Sequence, residues 1–199
     1  MSVEIPQFPE LSFDEAHHIY RLNGLVIPSV TTLMKPLSDD FYRTVDPEVL
    51  DRAAKRGTAI HNAVENYTQF GIEDISPAYA GYFAGFIQWW ERRKPLPLAT
   101  ECRVYHKILR YAGTADLLCL INGRMTLVDY KSSAQVNRKL CAVQLEGYDR
   151  AYESHGIKIE DRLILHLTKN GYQEVPFQRD PKCWSVLSSL MTIRNYMNE

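Results

Sequence analysis

Two aspartates and a lysine have the spacing of a small charged site on a predicted β-hairpin. Asp116 lies in a first β-rich run, and Asp129 and Lys131 lie in a second. The pair Asn122-Gly123 between the runs is typical of a two-residue type I′ turn, because both central residues must take positive φ. That turn fixes the register. It places Asp116 directly opposite Asp129, while alternation places Lys131 on the face of Asp129.

Opposed carboxylates on neighbouring strands suggest a bound cation. Like charges directly opposite each other destabilise a sheet, because the roots of their side chains are only about 5 Å apart. A cation between Asp116 and Asp129 would remove that cost. On these residues alone a second interpretation stays open, in which Asp129 and Lys131 form an ordinary ion pair and Asp116 ends a strand.

The hairpin is apolar on both faces, which predicts helices on both sides of the sheet. Alternation predicts that one face carries Ala115, Leu117, Cys119, Val128 and Tyr130. The acidic face continues into Leu118, Leu120, Met125 and Leu127. We therefore expect an α/β fold with a central mixed sheet between helices.

The elements that must position these residues follow from start and stop signals along the chain. The predicted helices begin after Pro28 (a short one), at Asp46-Pro47, at Ser76-Pro77, near Val136 and at Asp180-Pro181. The predicted strands are 100–108, the two runs of the central hairpin, 161–168 and 172–178, with a short hairpin at Asn23-Gly24. We expect one domain, residues 1–199, with an N-terminal extension (1–45), a core (46–155) and C-terminal strands and helix (156–199).

Histidines offer further metal ligands, but their positions are ambiguous. His61 borders the apolar stripe of the helix that begins at Asp46-Pro47, with Glu65 four residues later on the same face. A lone histidine beside an apolar face is more often a core residue than a ligand. His17 and His18, if both lie in a strand, point to opposite faces and cannot bind one ion.

An aromatic stripe marks the helix that begins at Ser76-Pro77. Its rings are Tyr79, Tyr82, Phe83, Phe86, Trp89 and Trp90. Their helical spacing favours a place in the core. The alternative is that some of them stack on unpaired bases.

Composition narrows the class of protein. The 199 residues are 45% hydrophobic and 24% charged, with a net charge of −1, so there is no global basic field and any nucleic-acid contact must be local. The widely spaced Cys102, Cys119, Cys141 and Cys183 predict neither a zinc site nor a disulfide framework.

Met1 to Glu10 has no leader pattern, and no apolar run approaches the ~20 residues that span a bilayer. We expect a cytoplasmic protein without a membrane partner.

Three motifs resemble those of one enzyme family. Gly113-x-x-Asp116 followed by Asp129-x-Lys131 resembles the core motif of the PD-(D/E)XK nucleases. Two further segments are similar to motifs of the RecB-type branch, namely Gly57-Thr58-Ala59-Ile60-His61 and Gln144-x-x-x-Tyr148. Together with Tyr111-x-Gly113, they most resemble the mitochondrial genome-maintenance exonuclease family and its phage and bacterial relatives. The resemblance covers about half of the chain, from Gly57 to Tyr148.

This resemblance implies metal-dependent hydrolysis of DNA, with an exonuclease acting on single-stranded or end-frayed substrates, in a bacterial or phage-infected cell. Asp116, Asp129 and Lys131 would be catalytic, with Lys131 orienting the attacking water and stabilising the developing negative charge. The implied ligands of Mg²⁺ or Mn²⁺, as one ion or two, are His61, Asp116, Asp129 and the Tyr130 carbonyl. Glu101 and Glu65 are candidates for a second metal ion or for support of the first.

The resemblance also implies a set of DNA contacts, namely Ser132, Ser133, Arg138, Lys139, Gln144 and Tyr148. Iron–sulfur members of the branch carry a cysteine cluster after the core, and this sequence lacks one, so we expect no iron–sulfur cluster. Two alternatives remain within the fold, a catalytically silent nucleic-acid clamp and a structure-specific endonuclease. An unrelated α/β binding domain is a third.

Overall fold

A computed structural model of the chain describes residues 5 and 7–198. The segment Met1 to Glu10, for which the sequence predicts no leader, therefore lies partly outside the described residues. The strands are β1 Leu11–Asp14, β2 Ile19–Leu22, β3 Leu25–Ile27, β4 Leu96–Tyr105, β5 Ala112–Ile121, β6 Arg124–Lys131, β7 Asp161–Thr168 and β8 Gly171–Phe177. The helices are α1 Val30–Tyr42, α2 Pro47–Phe70, α3 Ala80–Arg93, α4 Arg138–Ser154 and α5 Pro181–Met197, with a 3-10 turn at Pro77–Tyr79.

The central sheet has five strands in the order β4-β5-β6-β7-β8. Its neighbours are antiparallel except β6 and β7, which are parallel and are connected through α4. A parallel pair needs such a crossover, whereas the antiparallel neighbours are joined by short connections. The predicted α/β fold with a mixed sheet is confirmed.

Helices cover both faces of this sheet, as the apolar pattern predicts. On one face, α1, α4 and α5 pack over side chains that include Leu118, Leu127 and Ile164. On the other, α2 and α3 pack over Leu117 and Val128. The three inner strands β5, β6 and β7 are therefore largely buried, and the edge strands β4 and β8 are more exposed. Among the described residues, no helix combines the length and apolar character needed to cross a membrane.

The predicted hairpin register is confirmed over the part nearest the turn. Ile121 pairs with Arg124, and the ladder continues without a shift to Leu117 and Val128. Alternation then fails on β5. Ala115 packs in the layer of α1, α4 and α5 instead of sharing a face with Leu117, so its predicted orientation is wrong. The strand changes its pattern at the residue between them, Asp116.

The aromatic stripe of the second long helix belongs to the core. Phe86 and Trp89 are fully buried in α3, and Tyr82 and Phe83 are nearly so. Their rings pack against each other and against Tyr130 of β6. The core interpretation is confirmed for these four side chains, which therefore offer no surface to an unpaired base.

The small sheet β1-β2-β3 is fastened to the edge of the central sheet. The Ala112 N–H donates to the Pro28 carbonyl (2.9 Å), and the Tyr20 hydroxyl lies 2.7 Å from Thr114 Oγ1. The predicted turn at Asn23-Gly24 joins β2 to β3. The prediction that His17 and His18 lie in a strand is wrong, because both belong to the turn between β1 and β2. The short helix predicted after Pro28 is α1, which has 13 residues.

Candidate metal centre

Three side chains from three elements converge where β4 and β5 pass under α2. His61 of α2, Glu101 of β4 and Asp116 of β5 each offer a ligand atom, and these atoms lie within 4.8 Å of one another. His61 Nδ1 is 3.5 Å from Asp116 Oδ1 and 3.9 Å from Glu101 Oε1. The other ring nitrogen, Nε2, lies 3.2 Å from the Tyr130 carbonyl oxygen. His61 Nδ1 and two carboxylates thus surround one point, and the Tyr130 carbonyl lies at the opposite side of the imidazole.

Asp116 owes its position to an interruption of the β5-β6 ladder. A regular continuation beyond Leu117 and Val128 would pair the Tyr130 N–H with the backbone of Ala115. Instead, that N–H donates to Asp116 Oδ2 at 2.6 Å. The carboxylate is 8% exposed and is fixed by this bond, with its other oxygen toward His61. The sequence predicts that Asp116 lies directly opposite Asp129. In the structure, the Asp116 side chain instead accepts a hydrogen bond from the backbone of Tyr130, the residue after Asp129.

Glu101 has an unusual backbone. Its φ is +45°, in the left-handed region that side-chain-bearing residues rarely adopt within a strand. Thr100 pairs with Leu117 and Cys102 with Ala115, so the position of Glu101 lies across from that of Asp116. Strained backbone of this kind persists only where the surroundings enforce it, and it clusters at functional sites. The strain here turns an acid toward two other candidate ligands.

The cluster carries more negative charge than it neutralises. Burial raises the pKa of Glu101 to about 8, with further upward shifts from Asp116, Glu65 and Asp129. Burial also raises the pKa of Asp129 to about 6, although Lys131 opposes that shift. Carboxylic acids whose ionisation is resisted by neighbouring carboxylates form a site that would be relieved by a cation.

Asp129 lies beside the cluster and faces Lys131. Lys131 Nζ is 2.5 Å from Asp129 Oδ2. The Asp129 side chain is 3% exposed, and the Lys131 side chain is 28% exposed. Burial lowers the pKa of Lys131, but Asp129 and Asp116 outweigh it and raise the pKa above the ordinary value. The lysine is therefore held as a cation, and part of its side chain reaches solvent.

A groove of about 460 Å³ runs along the outer side of the cluster. Its floor and one wall come from α2 and β4, through residues that include Gly57, His61, Glu65 and Glu101. Glu65 accepts a hydrogen bond from Gln69 Nε2 (2.9 Å). Two of the clustered ligands, His61 and Glu101, are thus accessible from the groove, as a substrate site requires.

The six predicted DNA contacts fall into three groups, of which the pair Gln144 and Tyr148 is described below. Ser132 and Ser133 follow Lys131 directly, and Arg56 of α2 lies 3.5 Å from Ser132 Oγ, which adds a cation at this edge that the sequence did not reveal. Arg138 and Lys139, by contrast, line a separate, mainly apolar hollow between α1, α4 and α5. Arg138 stacks there over the ring of Phe177, 4.8 Å from its centroid.

Gln144 and Tyr148 meet as their spacing on a helix predicts. Gln144 Nε2 donates to the Tyr148 hydroxyl at 3.0 Å. The tyrosine is only 4% exposed, and its ring touches β5 at Gly113, where a Cβ atom would lie within 2.4 Å of Cε1. This contact explains the glycine of the Gly-x-x-Asp motif. Tyr148 lies beneath the acids and supports the strand that carries Asp116.

From the sequence, Glu101 is a candidate for a second metal ion or for support of the first, whereas in the structure its carboxylate joins His61 and Asp116 in the candidate cluster. Its position depends on the pairing of β4 with β5, and the connection 106–111 carries no tight-turn motif that would fix that register. Phe13, His18 and Arg103, which also line the groove, were not recognised. The approach of Phe13 and His18 to Glu101 depends on contacts between distant segments, which no local pattern reveals.

Comparison with known proteins gives only remote likenesses. No protein-family model matches the chain, and no curated protein matches it. The crystal structure of SSO0001 has a TM-score of 0.42 and 14% identity, over 84% of this chain and 84% of that one. The crystal structure of LHK-Exo in complex with dAMP has a TM-score of 0.38 and 11% identity, over 70% of this chain and 83% of that one. At these TM-scores the likenesses carry no argument about function.

Proposed function

We propose that this chain is a metal-dependent deoxyribonuclease of the PD-(D/E)XK superfamily, in its RecB-type branch, and that it acts as an exonuclease on single-stranded or end-frayed DNA. The observation that carries the proposal is the convergence of His61, Glu101 and Asp116 beside the Asp129–Lys131 pair at the edge of an open groove. The sequence motifs around these residues supply the assignment to DNA.

The residues present fit a divalent cation. Carboxylate and carbonyl oxygens suit Mg²⁺ and Mn²⁺, and one imidazole favours tolerance of Mn²⁺. Burial first, and neighbouring carboxylates second, raise the pKa values of Glu101 and Asp129, so a cation at this point would favour their ionised forms. His61, Glu101, Asp116 and the Tyr130 carbonyl would hold the ion, with Asp129 beside them. When bound, the cation would polarise the scissile phosphate and make a water molecule acidic enough to attack it.

The side chains around this position have separate roles. Lys131 keeps its proton because Asp129 lies against it, so its ammonium can donate to the attacking water and to the negative charge that develops on the phosphate. The Tyr130 carbonyl at Nε2 would orient the His61 ring and leave Nδ1 free to face Asp116, Glu101 and a cation between them. Arg56 and the segment Ser132-Ser133 lie where phosphates of the bound strand would pass.

We further propose that residues 1–199 work as one nuclease domain, in which the extension 1–45 belongs to the working site. The small sheet buries Tyr20 and Leu22 against Tyr105 and Ala112 of the central sheet. Two of its side chains, Phe13 and His18, line the same groove as Glu101. A segment that shares a core and a groove with the acids is expected to contribute to substrate binding.

Purified protein should therefore hydrolyse labelled single-stranded DNA with Mg²⁺ or Mn²⁺ and should be inactive in EDTA. Glu101→Gln and Asp116→Asn should be inactive, while Glu91→Gln, a change of an exposed glutamate on α3, should match the wild type. Binding of DNA without cleavage at any concentration of either metal would indicate a silent clamp. Equal rates on closed circular duplex and on ends would indicate an endonuclease, and cleavage by pure protein in EDTA would contradict the metal site.

A further inference from the structure

The groove beside the candidate metal centre has a second wall that the roles above do not use. Phe13, His18 and Tyr20 of the small sheet and Arg103 of β4 all line it. We call these four residues the aromatic wall. It faces the ligand cluster across a space of about 460 Å³, which suits a small part of a polymer.

The wall is built from flat groups in contact. The rings of Phe13 and Tyr20 lie 4.4 Å apart at 33°, and His18 packs edge-on to both. The Arg103 guanidinium lies over the Phe13 ring, 5.2 Å from its centroid. Phe13 and Tyr20 are largely covered, whereas His18 and Arg103 are exposed. The wall therefore presents to solvent the imidazole of His18 and the planar cation of Arg103.

The wall is fixed relative to the acids. The Tyr20 hydroxyl is 2.7 Å from Thr114 Oγ1, two residues before Asp116 on β5. The turn that carries His18 is closed by Asp14, whose carboxylate accepts from the His17 backbone N–H at 3.2 Å. His18 itself has φ +53°, a conformation that costs energy and projects its ring next to Phe13.

Arg103 supplies the charge that the ligand cluster lacks. It lies two residues beyond Glu101 on β4, which is at most about 7 Å along an extended strand. An exposed guanidinium at this distance from a bound cation can hold a second phosphate, and its plane can also support a base.

We propose that the aromatic wall is a subsite for one unpaired nucleotide, with its base against His18 and the Phe13–Arg103 stack and its phosphate at Arg103. This inference rests on the proposed function and names the part of the substrate that the groove selects. Stacking on a side chain needs a base whose face is free, which a base inside a duplex does not have. The wall, rather than the buried rings of α3, then gives the preference for single strands or frayed ends.

The test uses single-stranded oligonucleotides of one length in which one base-free nucleotide is moved along the strand. For the wild type, one position should raise KM by roughly 5- to 150-fold, the range expected for one stacked base, with kcat nearly unchanged. His18→Asn and Arg103→Gln should raise KM for the intact strand and should abolish the extra loss at that position. Asparagine is chosen because it tolerates positive φ.

Two variants serve as matched controls. His17→Asn changes the neighbouring histidine, whose side chain contacts Asp14, and Arg52→Gln changes an exposed arginine of α2 that pairs with Glu48. Both should keep the wild-type profile. A fluorescent adenine analogue at the sensitive position gives a readout independent of cleavage, since stacking on the wall should quench it in the wild type and not in His18→Asn. Melting curves establish that each variant is folded.

Two results would overturn the subsite. One is metal-dependent cleavage in which no base-free position matters. The other is a wild-type profile for folded His18→Asn and Arg103→Gln, which would make the wall a packing feature of the small sheet. Failure to hydrolyse any nucleic acid with Mg²⁺ or Mn²⁺ is a different result, because it overturns the proposed function and this inference with it.

Discussion

Glu101→Gln should stabilise the metal-free protein at alkaline pH while removing its response to metal. Burial and the neighbouring acids raise the pKa of Glu101 from 4.5 to about 8. The folded state therefore binds this proton more tightly than the unfolded state, so the wild type loses stability as pH rises from the ordinary glutamate range toward 8. Glutamine has no proton to lose. The two proteins should melt alike near pH 4.5, and the variant should melt higher at pH 8.5.

The size of this effect follows from the shift and the exposure. A displacement from 4.5 to about 8 sets an upper limit of about 5 kcal/mol for an unscreened charge. The Glu101 side chain is 34% exposed, so solvent screening reduces the expected difference to about 1–2 kcal/mol. For a chain of this size that corresponds to a rise in Tm of roughly 2–8 °C.

The assay is thermal unfolding in EDTA from pH 4.5 to 9, compared with the same scans in Mn²⁺. Wild type should gain stability in Mn²⁺ because the ion binds only the folded state, and Glu101→Gln should gain little. Glu91→Gln should follow the wild type throughout. If Glu101→Gln and the wild type keep a constant Tm difference across the pH range in EDTA, Glu101 does not share a charged cluster with Asp116, and the reasoning fails.

Three further predictions concern neighbouring residues. Lys131→Ala should lower kcat by orders of magnitude with DNA affinity nearly intact, and equal losses in both would make Lys131 a phosphate anchor instead. Asp116→Asn should melt in EDTA at or above the wild type, ignore Mn²⁺ and cut no DNA; a lower Tm with retained cleavage would contradict its role. Gly113→Ala should lower the free energy of unfolding by about 1–3 kcal/mol, and with it Tm, because its Cβ would lie 2.4 Å from the Tyr148 ring. As a control, Gly57→Ala should raise Tm slightly, because a Cβ at this position would meet no atom within 4 Å. A Gly113→Ala variant with an unchanged Tm would refute the tight contact with Tyr148.

Local signals in the sequence predicted much of the framework. Asn122-Gly123 gave the β5-β6 register, and the capping residue Asp46 gave the start of α2, where its carboxylate accepts from the Glu48 N–H. These features depend on residues a few positions apart. His61 was placed on a helix next to an apolar stripe, and the packing of that stripe on the sheet brings it to the Tyr130 carbonyl.

The features that the sequence did not reveal depend on distant segments. The left-handed backbone of Glu101 has no local sequence signal, because a period-two pattern predicts the face of a side chain and not its φ. Arg138 and Lys139 were expected near the site because they follow Lys131 closely in sequence. The loop before α4 instead carries them to the hollow beside Phe177. His18 was assigned to a strand because its turn lacks a strong signal in glycine or proline.

The two irregularities at Glu101 and Asp116 have a common physical effect. In a regular sheet, the side chains of directly opposed residues stand parallel on one face, so Glu101, Asp116 and Asp129 would form a row with their roots about 5 Å apart. Here β4 turns one acid with a strained φ, and β5 gives up a backbone bond so that the Asp116 carboxylate takes the Tyr130 N–H. Both changes cost stability, and both concentrate negative charge at one point under His61. A fold retains such costs where the surroundings enforce them, through the Tyr20–Thr114 bond and the packing of Tyr148 on Gly113. A bound cation would offset the remaining repulsion, which is why metal-dependent stability is the property that separates this site from a structural ion pair.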